Sequence, residues 1–226
     1  MRLDFLPSFV KRKGRITKNQ EENLKFLSDL SIKNLKQIRE EASNFSYCCL
    51  EIGFGNAEHL KSQALDNPDI LFIGSEVYMS GIGTLIGAIK KQNIDNIRIF
   101  PDDIRILLDD ESECIFDAIN ILCPDPWPKE RHHKRRLINN DFLGLVHKSM
   151  KDKGNIYIST DWENYAESIQ EILDDRSKDI LQRRYLADTK ATLHDLADEY
   201  NVSAERIRQI ENSALKKLKS AMVDFA

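Results

Sequence analysis

The sequence has no apolar run long enough to span a bilayer, and its opening, MRLDFLPSFVKRKGR, lacks the apolar stretch of a signal peptide. Both absences predict a cytoplasmic protein with no membrane partner. Cysteine is scarce: Cys48, Cys49, Cys114 and Cys123 are the only four. None forms a CxxC pair, so neither a zinc site nor a disulfide framework is expected, and a reduced compartment fits. There is no excess of positive charge. The 33 Lys and Arg stand against 37 Asp and Glu, a net charge of −4. Any binding of nucleic acid must then come from a local patch rather than from the whole molecule. A Gly/Ser/Pro-rich linker is missing too, so no flexible tether divides the 226 residues.

What is present is an alternation. Apolar runs at 47–55, 70–78, 96–103, 116–128 and 155–163 predict buried strands. The stretches "AEHLKSQALDN", "GIGTLIGAIKKQ" and "NDFLGLVHKSMKDKG" between them predict helices, the last stopped at Gly154. Residues 21–45 predict one further helix ahead of the first strand. Strands alternating with helices imply a parallel sheet with right-handed crossovers. In such sheets the chemistry gathers at the carboxyl ends of the strands. Glu51, Glu76, Asp103, Asp125 and Asp161 all fall there.

The first strand leaves through "EIGFGNAEH". Gly53 and Gly55 let a ligand approach the backbone where a Cβ would block it. The third glycine of a dinucleotide fingerprint is missing, with Glu58 in its place. Glu76, one strand–helix unit later, is placed to accept hydrogen bonds from a ribose diol. Asp102 and Asp103 could take an adenine amino group. No phosphate-binding lysine accompanies them. The combination suits an adenosyl ligand without a pyrophosphate, and S-adenosylmethionine fits better than NAD or ATP.

Three of the six prolines crowd into "CPDPWPKERHHKRR", residues 123–136. Pro124, Pro126 and Pro128 stiffen the loop around Asp125. Lys129 to Arg136 then holds five Lys/Arg and two His in eight residues, the densest positive charge of an acidic chain. Such a run is either a solvated helix start or a patch that neutralises the phosphates of a polyanion, a salt-dependent contribution that reads no sequence.

These segments resemble the bacterial tRNA (guanine-N7-)-methyltransferases. The match runs over about residues 5–172 through "SFVKRKGRITKNQ", "LEIGFGNAEHL", "GSEVYMSGIGTLI", "NIRIFPDDIRILL", "PDPWPKERHHKRR" and "STDWENYAE". The resemblance implies a Rossmann-like S-adenosylmethionine-dependent methyltransferase core, an α/β fold, acting on a variable-loop guanosine of tRNA. It implies that Glu51, Gly53, Gly55, Glu76, Asp103 and Asp125 bind the cofactor and that Asp125 is catalytic. It further implies that Lys129 and Asp161 bind substrate. Arg131, His132, His133, Lys134, Arg135 and Arg136 would contact RNA.

The family's closing segment, which completes the sheet, does not follow. From residue 173 to about 222 the chain resembles region 4 of heat-shock sigma factors, through "LDDRSKDILQRRYL", "TLHDLADEYNVSAERIRQIE" and "NSALKKLKSAM". Leu193, Leu196, Ala197, Val202, Ile207, Ile210, Ala214 and Leu218 have the spacing of two packed helices about a short turn. The second helix is expected over 204–219. The expectation is therefore two domains, 1–172 and 173–226, a core truncated at its C-terminal strands and an all-α helix-turn-helix appendage. By position Glu205, Arg206, Arg208 and Gln209 would face duplex DNA, and RNA polymerase would be the other partner. The alternative functions are a sigma-like transcription protein or a hybrid with impaired catalysis.

Overall fold

The computed structural model describes residues 5–10, 15–109, 114–181, 183, 190–200 and 202–211. Five strands form one sheet: β1 (Tyr47–Ile52), β2 (Ile70–Ser75), β3 (Ile97–Phe100), β4 (Phe116–Leu122) and β5 (Met150–Ser159). Their order is β3-β2-β1-β4-β5, and every pairing is parallel. The helices are α1 (Lys18–Leu24), α2 (Leu27–Leu30), α3 (Leu35–Ala42), α4 (Glu58–Asp66), α5 (Met79–Gln92), α6 (Ile104–Leu108), α7 (Asn140–Ser149), α8 (Glu163–Leu181) and α9 (Leu193–Tyr200). A 3₁₀ helix spans Glu130–Arg135.

All five expected strands form, and each is shorter at its carboxyl end than the sequence pattern suggested. Strand β1 ends at Ile52 because Gly53 turns out of the pleat at φ +74°. The helix expected over 21–45 is instead three short ones. The chain leaves α2 at Ser31 to bridge Ile99, and the Ile32 amide donates to the Ile99 carbonyl at 3.0 Å. Satisfying the edge of β3 outweighs helix continuity there. Helix α7 stops at Ser149, not at Gly154. Met150 already pairs with Phe116, and Lys151 Nζ reaches Asp117 at 2.7 Å. Gly154 serves this irregular pairing, since a Cβ there would lie 3.0 Å from the Lys151 carbonyl oxygen and 3.1 Å from that of Phe116.

The contacts divide the chain into two compact units, residues 1–137 with 149–161, and residues 138–148 with 162–226. The first holds the sheet. Its core joins Cys49, Phe72, Ile97, Ile99 and Ala118 to Leu60 and Ala64 of α4 and Ile82, Leu85, Ile86 and Ile89 of α5. Each large side chain fully buried here contributes roughly 1.5–3 kcal/mol over leaving it in water. Helix α1 is closed by a capping box between Thr17 and Gln20. It is fixed by Gln20 Nε2 and Asn23 Nδ2, which donate to the Ser80 and Gly83 carbonyls of α5 at 3.1 and 3.0 Å.

In the second unit, Ile180, Leu196, Ala197 and Ile207 form a buried cluster with Leu193, Val202 and Ile210 against it. Thr192 and Asp195 cap α9 reciprocally. Residues 204–211 are helical behind Ser203, whose hydroxyl accepts from the Arg206 amide. Ala214, Leu218 and the rest of the helix expected over 204–219 lie outside the described residues. The expected boundary at 172/173 falls within α8, which runs unbroken from Glu163 to Leu181.

Candidate functional site

A cavity of about 250 Å³ opens where β1 passes between β2 and β4, the switch point at which doubly wound sheets form a crevice. It lies wholly within the first unit. Gly53, Gly55, Glu76, Asp103 and Asp125, all expected at a site, line it together with Asp102, Ser75, Ser8 and Phe9. Gly53 and Gly55 have φ values of +74° and +56°, and the space a Cβ would occupy is open at both. The backbone is bare there, as a cradle for a ligand requires.

Glu76 closes the far side of the loop. Its Oε2 accepts from the Gly55 amide at 2.8 Å, and its Oε1 from Val77 and Tyr78 at 2.6 and 2.9 Å. Three of roughly four lone-pair sites on the carboxylate are thus fixed. The role expected of a third loop glycine, close helix packing, falls to Gly81 of α5. A Cβ there would meet the Gly55 carbonyl oxygen at 2.1 Å.

The other acids are placed differently. Both Asp103 oxygens face Arg105, with Nε to Oδ1 at 2.9 Å and Nη2 to Oδ2 at 2.6 Å, and Oδ1 also caps α6. Asp102 is the exposed member of that pair. Glu51 lies outside the cavity lining. It is buried, and its Oε2 meets His59 Nδ1 at 2.6 Å. Burial pushes the Glu51 carboxyl up, and His59 pulls it back.

Asp125 sits between two non-glycine residues in the left-handed region, Cys123 at φ +48° and Trp127 at +46°. Each precedes a proline, which disfavours the right-handed helical region for it. Such conformations cost of order 1–3 kcal/mol each and persist only where the surroundings over-determine them. Trp127 Nε1 donates to the Ser8 carbonyl at 2.8 Å, and Arg136 Nε to the Pro126 carbonyl at 3.0 Å. Trp127 therefore holds the loop to the N-terminal segment. Past it, Lys129, Arg131 and Lys134 are exposed, His132, His133 and Arg135 are half-buried, and Arg136 is buried. Burial, then the neighbouring cations Arg131, Lys129, Arg135 and Lys134, hold His132 below the ordinary histidine range. Asp161 is exposed just past β5, whose Ser159 carbonyl accepts from the Cys123 amide at 2.9 Å.

Of the residues expected to face DNA, Glu205 pairs with Arg208 at 2.6 and 2.7 Å and Arg206 donates to Gln209 at 3.1 Å. Among the described residues no cluster of His, Cys, Asp and Glu could hold a metal ion. No described helix is long and apolar enough to cross a membrane.

Sequence reasoning missed Ser8 and Phe9 in the cavity wall, and Arg105, Tyr78, Gly81 and His59 around it. Arg105 had a signal, a cation two residues after an acid at a helix start. Ser8 and Phe9 lay in a segment that carried the resemblance, but no local pattern placed them at the cavity: Ser8 meets Trp127, 119 residues away.

A parallel α/β sheet with a bare glycine turn and acids at the switch point defines a Rossmann-like methyltransferase core. Residues 46–214 match the protein family described as "Putative methyltransferase", and the chain belongs to it. Its methyl donor is S-adenosylmethionine, and the open glycines and the oriented Glu76 fit that group.

Curated relatives carry the name tRNA (guanine-N(7)-)-methyltransferase, among them the following three. The Hyphomonas neptunium protein is 44% identical over 118 residues, 52% of this chain and 54% of its own length. That of Wolbachia pipientis wMel is 42% identical over 159 residues, 70% of this chain and 71% of that one. The Neorickettsia sennetsu protein is 38% identical over 171 residues, 73% of each. The family match continues to residue 214, through most of the segment that resembles sigma region 4.

Proposed function

We propose that this methyltransferase transfers a methyl group to N7 of a variable-loop guanosine in tRNA. The observation that carries the reading is Asp125, held on a strained loop at the cavity with exposed Lys129, Arg131 and Lys134 beside it. The names of the relatives support it. Gly53, Gly55 and Glu76 bind the cofactor, with Asp102 the exposed acid for its adenine and Asp103 acting through Arg105. Glu51 acts from behind the loop. When bound, S-adenosylmethionine supplies an electrophilic methyl group.

Guanine N7 bears a lone pair and no proton, so no base is needed to free it. Asp125 orients the guanine through its N1–H or amino group, and alignment supplies most of the rate. Lys129 and Asp161 bind the substrate nucleotide. The exposed cations neutralise phosphates.

The test is transfer of radiolabelled methyl to unmodified tRNA. We expect 7-methylguanosine from the parent and a loss of at least about 100-fold with Asp125→Asn, the scale of lost orientation. Label on tRNA at the parental rate with Asp125→Asn would remove Asp125 from the mechanism. The helix Leu193–Tyr200 and the helical residues 204–211, packed in one cluster, favour a second reading, DNA binding by this module. A duplex shift abolished by Arg208→Ala would support it.

A further inference from the structure

We propose that Arg135 and Arg136 are positioning residues that build the cofactor site, leaving phosphate contact to Lys129, Arg131 and Lys134. A 3₁₀ helix has three residues per turn, so side chains at i and i+3 stack on one side. Over Glu130–Arg135 that rule sorts the basic run into rows. Arg131 and Lys134 share the exposed row. His132 and Arg135 share the row that meets Trp127: the His132 ring stands edge-on at 5.7 Å, and the Arg135 guanidinium lies 4.4 Å from the indole centroid. His133 follows Glu130 in the third row, and Arg136, the C-cap residue just past the helix, is only 6% exposed.

Neither Arg135 nor Arg136 is directed at a ligand in solution. Arg135 Nε donates to the Pro7 carbonyl at 3.2 Å. Arg136 Nε donates to the Pro126 carbonyl, the residue after Asp125, at 3.0 Å. The Pro7 contact belongs to a series. Leu6 accepts from Arg105 Nη1 at 3.0 Å, Ser8 from Trp127 Nε1 at 2.8 Å and Val10 from the Tyr78 hydroxyl at 3.0 Å. Residues 5–10 form no regular element, so their carbonyls need partners from elsewhere. Side chains that follow β2, β3 and β4 supply them for Leu6, Pro7, Ser8 and Val10. Ser8 and Phe9, within the segment so held, are cavity wall. A phosphate drawing Arg135 away would release Pro7 and uncover Trp127, loosening the wall beside Asp125.

The inference needs the cavity to be the cofactor site. Only its statement about phosphates rests on the proposed tRNA substrate, so the main test is made without RNA. S-Adenosylhomocysteine binding to the full chain is measured by calorimetry for the parent, Arg135→Lys, Trp127→Phe and Lys134→Ala. Lysine keeps the charge and loses the planar fork. Phenylalanine keeps a ring and loses the donor to Ser8. Expected is a 5- to 10-fold weakening for Arg135→Lys and for Trp127→Phe, of order 1 kcal/mol each. Lys134→Ala should bind as the parent does.

With tRNA, Lys134→Ala should flatten the salt dependence of binding by about one phosphate contact, while Arg135→Lys leaves the slope unchanged. Parental affinity for S-adenosylhomocysteine in both Arg135→Lys and Trp127→Phe would overturn the proposal. So would Arg135→Ala lowering the salt slope without touching that affinity. Absence of tRNA binding by the parent would sink the proposed substrate and leave the cofactor result standing. Arg136→Lys is scored only if its melting temperature stays near the parent's, because its site is buried.

Discussion

Glu51 sits at 3% exposure near the carboxyl end of β1 with His59 2.6 Å away. Its carboxyl is pushed up by burial, so its folded value lies above the unfolded one. A group shifted in that direction stabilises the fold most fully at low pH, below the ordinary glutamate value. That contribution is lost as the pH climbs through the folded value. Glu51→Gln should therefore flatten the stability profile as the pH rises from the ordinary glutamate value of about 4. His59→Ala removes the opposing pull and should steepen the loss in that window. Urea midpoints across the range decide it, and parallel profiles for all three proteins would show that the pair carries no linkage. Two other buried groups titrate outside any such window. Burial pushes the Cys48 and Cys49 thiols up to about 12, so both stay protonated where the protein works.

At the scale of elements, α5 and the glycine loop are one packed object. Gly81→Ala would drive a Cβ to 2.1 Å from the backbone oxygen of Gly55, a group that cannot rotate away. We expect a loss of about 1–3 kcal/mol, the usual cost of overpacking, together with weaker cofactor binding. Gly144→Ala, in α7 with open space at its Cβ, is the control. It should gain about 0.5–1 kcal/mol from helix propensity. Equal urea midpoints for Gly81→Ala and the parent would mean the loop yields.

This is also the scale at which the sequence was most and least legible. Strands showed as apolar runs because a parallel sheet buries both faces. The Gly-x-Gly turn showed because positive φ demands glycine. The ends of α4 and α5 showed to within two residues, and the ends of α2 and the close of α7 did not. Ser31, Ile32 and Met150 obey sheet-edge pairings with partners far along the chain, which no local period encodes. Among the site residues, Glu76 and Asp125 were read from position after a strand. That Asp103 is occupied by Arg105 and that Arg135 holds Pro7 depended on tertiary contacts.

For the whole molecule, every residue that lines the cavity lies at or before Leu137. Truncation after residue 189, which keeps α8 entire, should leave S-adenosylhomocysteine affinity within about twofold. It should also lower the melting temperature, because Ile180 loses Leu196, Ala197 and Ile207 as neighbours. A large loss of affinity would tie the cavity to the second unit. The division at 172/173 stays a proposal, and the family match runs across it to residue 214.

The strand order has one more consequence. Tyr47 at the head of β1 donates its hydroxyl to the carbonyl of Asp117 on β4, 70 residues away, whereas β1 meets β2 across a single helix. Closing the longer loop costs roughly 1 kcal/mol more in chain entropy, since each doubling adds about 0.6 kcal/mol. Asp125 and Cys123 hang from that later strand, while Gly53 and Glu76 belong to the earlier pair. A growing chain thus carries Gly53 and Glu76 before Asp125 has been made, and the cavity gains its full lining only after the longer of the two closures.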